Sequence, residues 1–375
     1  MKYFFAIFAL FSALLLWAPA VTAATSTPNS LSQQAPDQYM RGRVVRVLKE
    51  GYTPNEDHLP TQTVDVHLTN GTDANKTVRI EYSAVDQKIK NQKVVAGDDV
   101  VVIKVPGATP ETSIYYITDF YRVPSLALFG LVFVIVVIAF GRLRGISSLF
   151  GLAATVGVLV LFIIPQILAG HSPIITTMLG APLIILLSMY LAHGWTRQTH
   201  LSIVGTVVTL VFAVLTAVAA VSVGRLFGTG SEEAMYVATS SPYPIDLRGI
   251  LLAGVIIGAL GVLDDVTTAQ TAAVHEIHDT KPSIKFPELF MRVMRVGREH
   301  IASLVNTLVL AYAGASFPLF LLFYTTKEQQ PLWVVLNSQQ ISEEIVRTLI
   351  GSVTLILAVP ISSAISAWWY TKQAK

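Results

Sequence analysis

Hydrophobic and polar positions change their rhythm twice along the chain. From Tyr3 to Trp17 the residues are mostly apolar, preceded by Lys2 and followed by APAVTAA. A basic start, an apolar stretch and small residues at Val21 and Ala23 predict a secretory signal over residues 1–23, cleaved after Ala23 or retained as an anchor. Residues 24–39, rich in Ser, Thr, Pro and Gln, carry no apolar period and read as a flexible tether.

From Met40 to Val123 the period is two. The stretches RGRVVRVLKEG, TVDVHLTNGTDANKTVRIEY, KVVAGDDVVVIKV and SIYYITDFYR read as strands. Val64, Val66 and Leu68 share one face and Asp65 and His67 the other, and Asn70-Gly71 opens a turn before Val78, Ile80 and Tyr82 resume the alternation. About five short strands, with Gly97 to Asp99 as a turn, predict a small all-β, OB-like domain over residues 40–123.

Beyond Val123 the chain is almost wholly apolar between short polar turns, which predicts an α-helical polytopic membrane domain over residues 124–375. About seven spans fit: Pro124–Phe140, Ser147–Leu168, Pro173–Ala192, Leu201–Gly224, Gly249–Thr268, Ile301–Phe323 and Ile345–Tyr370. Arg142, Arg144, Arg197, Lys281, Lys285, Arg292, Arg295, Arg298, Lys372 and Lys375 fall on one set of connections. Arg225, Arg248, Lys327 and Arg347 fall on the other. Positive-inside then predicts a multi-pass protein of the cell membrane with a cytoplasmic C-terminus and the β domain outside. Trp368, Trp369 and Tyr370 make an inner interfacial belt. Residues 286–300, with Phe290, Met291 and Met294 among three arginines, read as a cytoplasmic amphipathic helix.

Composition narrows the function classes. Of 375 residues 53% are hydrophobic and 13% charged, and mean hydropathy is +0.58. That is about half the charge of an ordinary soluble domain, which excludes a soluble enzyme. With no cysteine there is no disulfide framework, thiol nucleophile or thiolate metal site. Residues 24–123 hold 11 basic against 12 acidic side chains, so no nucleic-acid groove is expected. The lipid bilayer is the expected partner, with a protein at the outer β domain as a second. There is no Gly-rich phosphate loop, HExxH or nucleophile elbow, so no catalytic residue or cofactor is assigned.

Two adjacent acids, Asp264 and Asp265, stand inside the apolar run GVIIGALGVLDDVTTAQ. They lie about 23 Å along the helix from Gly249, within about 7 Å of the inner hydrocarbon edge. Either they form a proton or cation site, or they mark the helix's emergence. Gly254, Gly258, Gly261 and Asp265 fall on one face, so Asp265 is expected to look into protein and Asp264 to turn toward its edge. In the next span Asn306 and Thr307 reach a similar depth, about 9 to 10 Å in from His300. Ser303, Thr307, Ala311 and Gly314 form a small-residue stripe suited to the glycine face. Pro360 interrupts the last span's bonding, and Ser362 and Ser363 share the polar level. His275 and His278 lack a third ligand and predict a solvated face, with no metal site. Glu343 and Glu344 read as N-terminal helix charges.

The order of a strand-rich domain ending in YYITDFYR, a span with GALGVLDD and a span with NTLVLAYAG resembles the YibE/F-like multi-pass membrane proteins of bacteria. That resemblance implies the architecture and no catalytic or substrate residues. Gly258 to Asp265, the segment Phe290 to Arg298 and Asn306-Thr307 bear a looser likeness to resistance-nodulation-division permeases and SecD/SecF export factors. A large outer domain is missing after Leu168, where only AGHS stands. Two functions follow as expectations: a membrane transport component that binds a proton or cation at Asp265, helped by Asp264 and tuned by Asn306 and Thr307, or a membrane scaffold whose β domain docks a partner.

Overall fold

The computed structural model describes residues 38–52, 60–83, 93–105, 113–326 and 330–373. The expected signal segment, and the tether up to residue 37, lie outside the described residues. Two compact units divide between Val136 and Val137.

The first unit is built on β1 (Gln38–Tyr52), β2 (Pro60–Leu68), β3 (Thr77–Ser83), β4 (Asp99–Val105) and β5 (Ile114–Phe120). Their order is β3-β2-β1-β4-β5, antiparallel throughout. Long β1 serves both sides, pairing with β4 from Gln38 to Arg43 and with β2 from Gly42 onward. Its register slips between Val44 and Arg46 and again between Val47 and Lys49. Each extra residue bends the strand and tightens the twist, so the sheet curls into a half-barrel. Met40, Val44, Val64, Val66, Leu68, Ile80, Val100 and Val102 fill its concave side. The expected alternation through Val64, Val66 and Leu68 supplies three of them.

A buried carboxylate ties the ends of this sheet together. Asp73, in the β2–β3 turn, accepts from Lys76 Nζ at 2.6 Å, from Lys104 Nζ on β4 at 2.5 Å and from the Tyr115 hydroxyl on β5 at 3.1 Å. The turn itself needs positive φ, supplied by Gly71 at 85° and Asn75 at 66°.

Helix α1 (Val123–Val158) continues through a π-helical turn at Leu159–Ile163 into a last turn, Ile164–Leu168. The second unit adds α2 (Pro173–His193), α3 (Arg197–Val223), α4 (Glu232–Ser240), α5 (Leu247–Thr280), α6 (Phe286–Ala315), α7 (Phe317–Thr326), α8 (Leu332–Leu336) and α9 (Gln339–Gln373). Five helices among the described residues are long and apolar enough to cross a membrane, or six if α6 and α7, bent by 62°, count as one span. The expected number was about seven. The difference lies in the first two expected spans, which abut at a sharp break at Arg142 (φ 50°, ψ −133°) with no loop between them, so that two helical segments are counted together as one candidate, Val123–Leu168. The expected amphipathic segment 286–300 runs without a break into the first half of the span expected at Ile301–Phe323, forming α6, and that span bends by 62° into α7 after Ala315.

Helix α5 is central. It packs against α2, α3 and α9, whereas α6 leans chiefly on α9. Ile184, Met189, Ala213, Ile256, Leu263, Val266, Leu355 and Val359 form the apolar middle of this bundle. Glycine permits two tight crossings. A Cβ on Gly205 of α3 would come within 2.6 Å of Ser362 Oγ on α9, and one on Gly297 of α6 within 2.5 Å of Val359 Cγ1 and 3.1 Å of Gln270 Oε1.

Candidate functional site

Asp264 lines a cavity between α1, α2, α3 and α5. Asp264 is half-buried on α5, and its Oδ2 accepts a hydrogen bond from Ser188 Oγ of α2 at 3.2 Å. Its Oδ1 is buried and has no hydrogen-bond partner. The cavity beside it, about 350 Å³, is lined by Ser148, Gly151 and Thr155 of α1, Ser188 of α2, Thr206 of α3 and Gly261 of α5, among apolar residues. Gly151 lets α1 come close: a Cβ there would stand 3.1 Å from the Ser188 carbonyl oxygen. Hydroxyls and one carboxylate are hard oxygen ligands, suited to a proton or a small cation.

Below the cavity a seam of buried polar side chains joins three helices. The hydroxyls of Thr206 and Thr267 lie 2.8 Å apart, Ser363 Oγ donates to Gln270 Oε1 at 3.1 Å, and the hydroxyls of Thr271 and Ser366 lie 3.1 Å apart. All six are essentially inaccessible. These side chains pair with one another across the helices, as burial demands. Ser363 was read in the sequence as part of such a layer. Gln270 was not, because the fifth span was expected to end at Thr268, whereas α5 runs to Thr280, and Ser188 and Thr206 were not, because each is one of several hydroxyls on a largely apolar span.

The other expected site residues are placed differently. Asp265 is exposed, as are Asn306 and Thr307, and Thr307 Oγ1 donates to its own helix at the Ser303 carbonyl, 3.0 Å away. The structure therefore does not bring Asn306 and Thr307 to the carboxylates. Gly254, Gly261 and Gly314 face open space, and Ala311 is exposed. Only Gly258 of the expected glycine face meets α6, where a Cβ would stand 3.2 Å from the Tyr312 hydroxyl. The orientation expected for the acids is reversed: Asp264 is inside and Asp265 outside. The reason is that α6 packs on α9, so the face of α5 that glycine leaves bare stays uncovered.

At the far end of α5, His275 and His278 pack on the ring of Tyr370, each with centroids 5.3 Å away. Among the described residues no group of three or more His, Cys, Asp or Glu side chains is arranged to hold a metal. Glu343 is buried, not a free helix-terminal charge, and accepts from the Gly230 backbone N–H at 3.3 Å. Glu344 pairs with Arg347 at 3.2 Å.

A model of the YibE/F-like protein family matches residues 129–372. The chain belongs to the YibE/F-like family. The match takes in every helix that lines the Asp264 cavity and leaves out the five strands, so the carboxylate and its hydroxyls belong to the part this family member shares with its relatives. No curated protein and no solved structure matches the chain. The likeness to resistance-nodulation-division permeases and SecD/SecF factors finds no support there.

Proposed function

We propose that this YibE/F-like protein is a membrane transport component that binds a proton or a small cation at Asp264. The observation that carries this reading is the buried Asp264 Oδ1, which meets no protein donor beside a hydroxyl-lined cavity. Along α5 it lies about 25 Å from Leu247 and about 16 Å from His275, within the last several ångströms of a hydrocarbon core about 30 Å thick. A carboxylate costs up to about 2.5–3.5 kcal/mol at the centre of a membrane helix and less toward its edge, unless a donor, water or ion meets it, so an acid at this level is a functional candidate. In this reading Ser188 holds the carboxylate, and Ser148, Thr155 and Thr206 supply the oxygen atoms around the ion.

Breaking α1 at Arg142 into two spans and counting α6–α7 as one restores a seven-pass layout, with the C-terminus in the cytoplasm and the strands outside the cell membrane. The strand order, with bulged β1 shared between β2 and β4, supports an OB-like reading of that outer domain. A scaffold role for it has its own support: Tyr39, Val45 and Tyr116 are 68%, 52% and 45% exposed on the sheet, an apolar surface open to a protein partner.

The test is ion flux through the purified full chain in liposomes that trap a pH dye or a sodium dye. Flux that depends on an imposed gradient and is lost in Asp264→Asn is the expected result. A native protein that passes neither ion, or an Asp264→Asn variant as active as the native one, overturns the reading.

A further inference from the structure

Several buried polar atoms in the bundle have no hydrogen-bond partner, and four of them lie on α5: Asp264 Oδ1, Thr268 Oγ1, His275 Nδ1 and His278 Nε2. Their offsets from Asp264 are four, eleven and fourteen residues. At about 100° per residue these fall within an arc of about 80°, so all four share one stripe. Thr271, at offset seven, lies on the same line, and its hydroxyl is within 3.1 Å of Ser366 on α9. The stripe covers about 21 Å of helix with a polar group at every turn.

Thr268, like Thr177 of α2 and Thr354 of α9, leaves a buried hydroxyl without a partner, and on α5 that hydroxyl falls in line with the other three atoms. Thr155, Thr206, Thr209 and Thr216 all return their hydroxyls to carbonyls of their own helices. Thr268 does not, although the same bond is open to any helical threonine. His275 Nδ1 stands 3.4 Å from Asp279 Oδ1 without hydrogen-bond alignment. Buried groups of this kind are met by water or by ions. The stripe ends above in the Asp264 cavity. Below, it ends in an open pocket lined by Arg197 of α3, His275, His278 and Asp279 of α5 and Tyr370 of α9, which are the titratable groups around the two imidazoles.

We infer that this face of α5 is a hydrated proton path from the His278 end of the helix to Asp264, with His275 and His278 as relay groups. This deepens the proton version of the function proposed above and rests on it for its purpose, but the hydration can be tested by itself. An imidazole accepts a proton at one ring nitrogen and releases the proton held on the other. Passage through His278, His275 and the waters at Thr271 and Thr268 leaves each relay group neutral again. The proton taken from the solvent ends on the Asp264 carboxylate.

The chain has no cysteine, so a single introduced thiol reports alone. Full-length Thr268→Cys and Thr271→Cys proteins in liposomes are exposed to silver ion, and the thiols left are counted with a maleimide after denaturation. Val266→Cys, buried in the apolar middle of the same helix, is the control. Modification at least about tenfold faster at 268 and 271 than at 266 is expected of a hydrated stripe. Equal rates at all three positions overturn the path whatever the native protein transports. If one threonine variant fails to fold, the other carries the comparison. Where flux is present, His278→Gln should slow it at least about tenfold and leave its dependence on the Asp264 side chain intact, since a relay group acts on rate. Unchanged flux in His278→Gln removes the histidine from the route. Absent flux with fast silver modification sinks the transport reading and leaves the hydrated path standing.

Discussion

Ser188 on α2 donates a hydrogen bond to one oxygen of Asp264 on α5 and leaves the other oxygen to the cavity. A hydrogen bond to a charged group contributes about 1.5–3 kcal/mol, so Ser188→Ala should move the ion concentration that half-saturates flux by at least about tenfold. The sign identifies the ion. Removing a donor from the charged carboxylate favours proton uptake, so a proton site saturates at higher pH. Losing the side chain that positions the carboxylate weakens a sodium site, which then saturates at higher concentration. An unmoved midpoint removes Ser188 from the site.

Asp265 is the sharper contrast, because the glycine spacing on α5 points to it and the packing does not. Its side chain is exposed, so Asp265→Asn should leave thermal stability within about 0.5 kcal/mol of the native protein. Flux should likewise keep at least half its native rate. A loss as complete as that of Asp264→Asn would show that the two acids act as one unit.

Glycines divide in the same way. Gly205→Ala and Gly297→Ala drive a methyl into the Ser362 side chain and into Val359 Cγ1, respectively, and both should destabilise the bundle by about 1–3 kcal/mol. Gly254→Ala and Gly314→Ala meet nothing within 4 Å and should be neutral or slightly stabilising through helix propensity. Thermal unfolding in detergent, followed by the tryptophan fluorescence, separates the two pairs. Equal effects at all four positions would mean that α6 also covers the face of α5 that carries Gly254.

These contrasts mark where sequence reading stops. Strands β1 to β5 were legible because a half-buried sheet writes its two faces into alternate residues, as at Val64, Val66 and Leu68. The apolar lengths of α2, α3 and α9 were legible because a bilayer demands them. Which face of α5 is buried was not, because a helix apolar on all sides carries no contrast between core and lipid. The glycines at 254, 258 and 261 suggested a crossing, yet the core is made by Leu252, Val255, Ile256, Ala259, Leu263 and Val266. One further signal is written in the sequence of α5. Asp264, Thr268, Thr271, His275 and His278 repeat at alternating steps of four and three, a polar stripe on a helix otherwise rich in apolar residues.

In the strand-bearing unit the ion cluster at Asp73 makes a pH prediction with a definite sign. Hydrogen bonds from Lys104 and Lys76 hold its carboxyl well below the usual carboxylate range. A folded-state value lower than the unfolded one of about 3.9 adds stability that is full above that value and fades as the pH falls below it. Lys104 is largely buried with it, at 17% side-chain exposure, so breaking the pair should cost about 3 kcal/mol. Asp73→Asn should therefore weaken the half-barrel at neutral pH and remove most of its extra acid sensitivity between about pH 4 and pH 2. Hydrogen exchange of the β1 amides in the full chain, corrected for the intrinsic rate at each pH, reads both effects. If the variant loses protection on acidification as steeply as the native protein, another carboxylate governs the acid response. Asp65, which bridges Arg46 and Arg79 across β1 and β3, is then the next to replace.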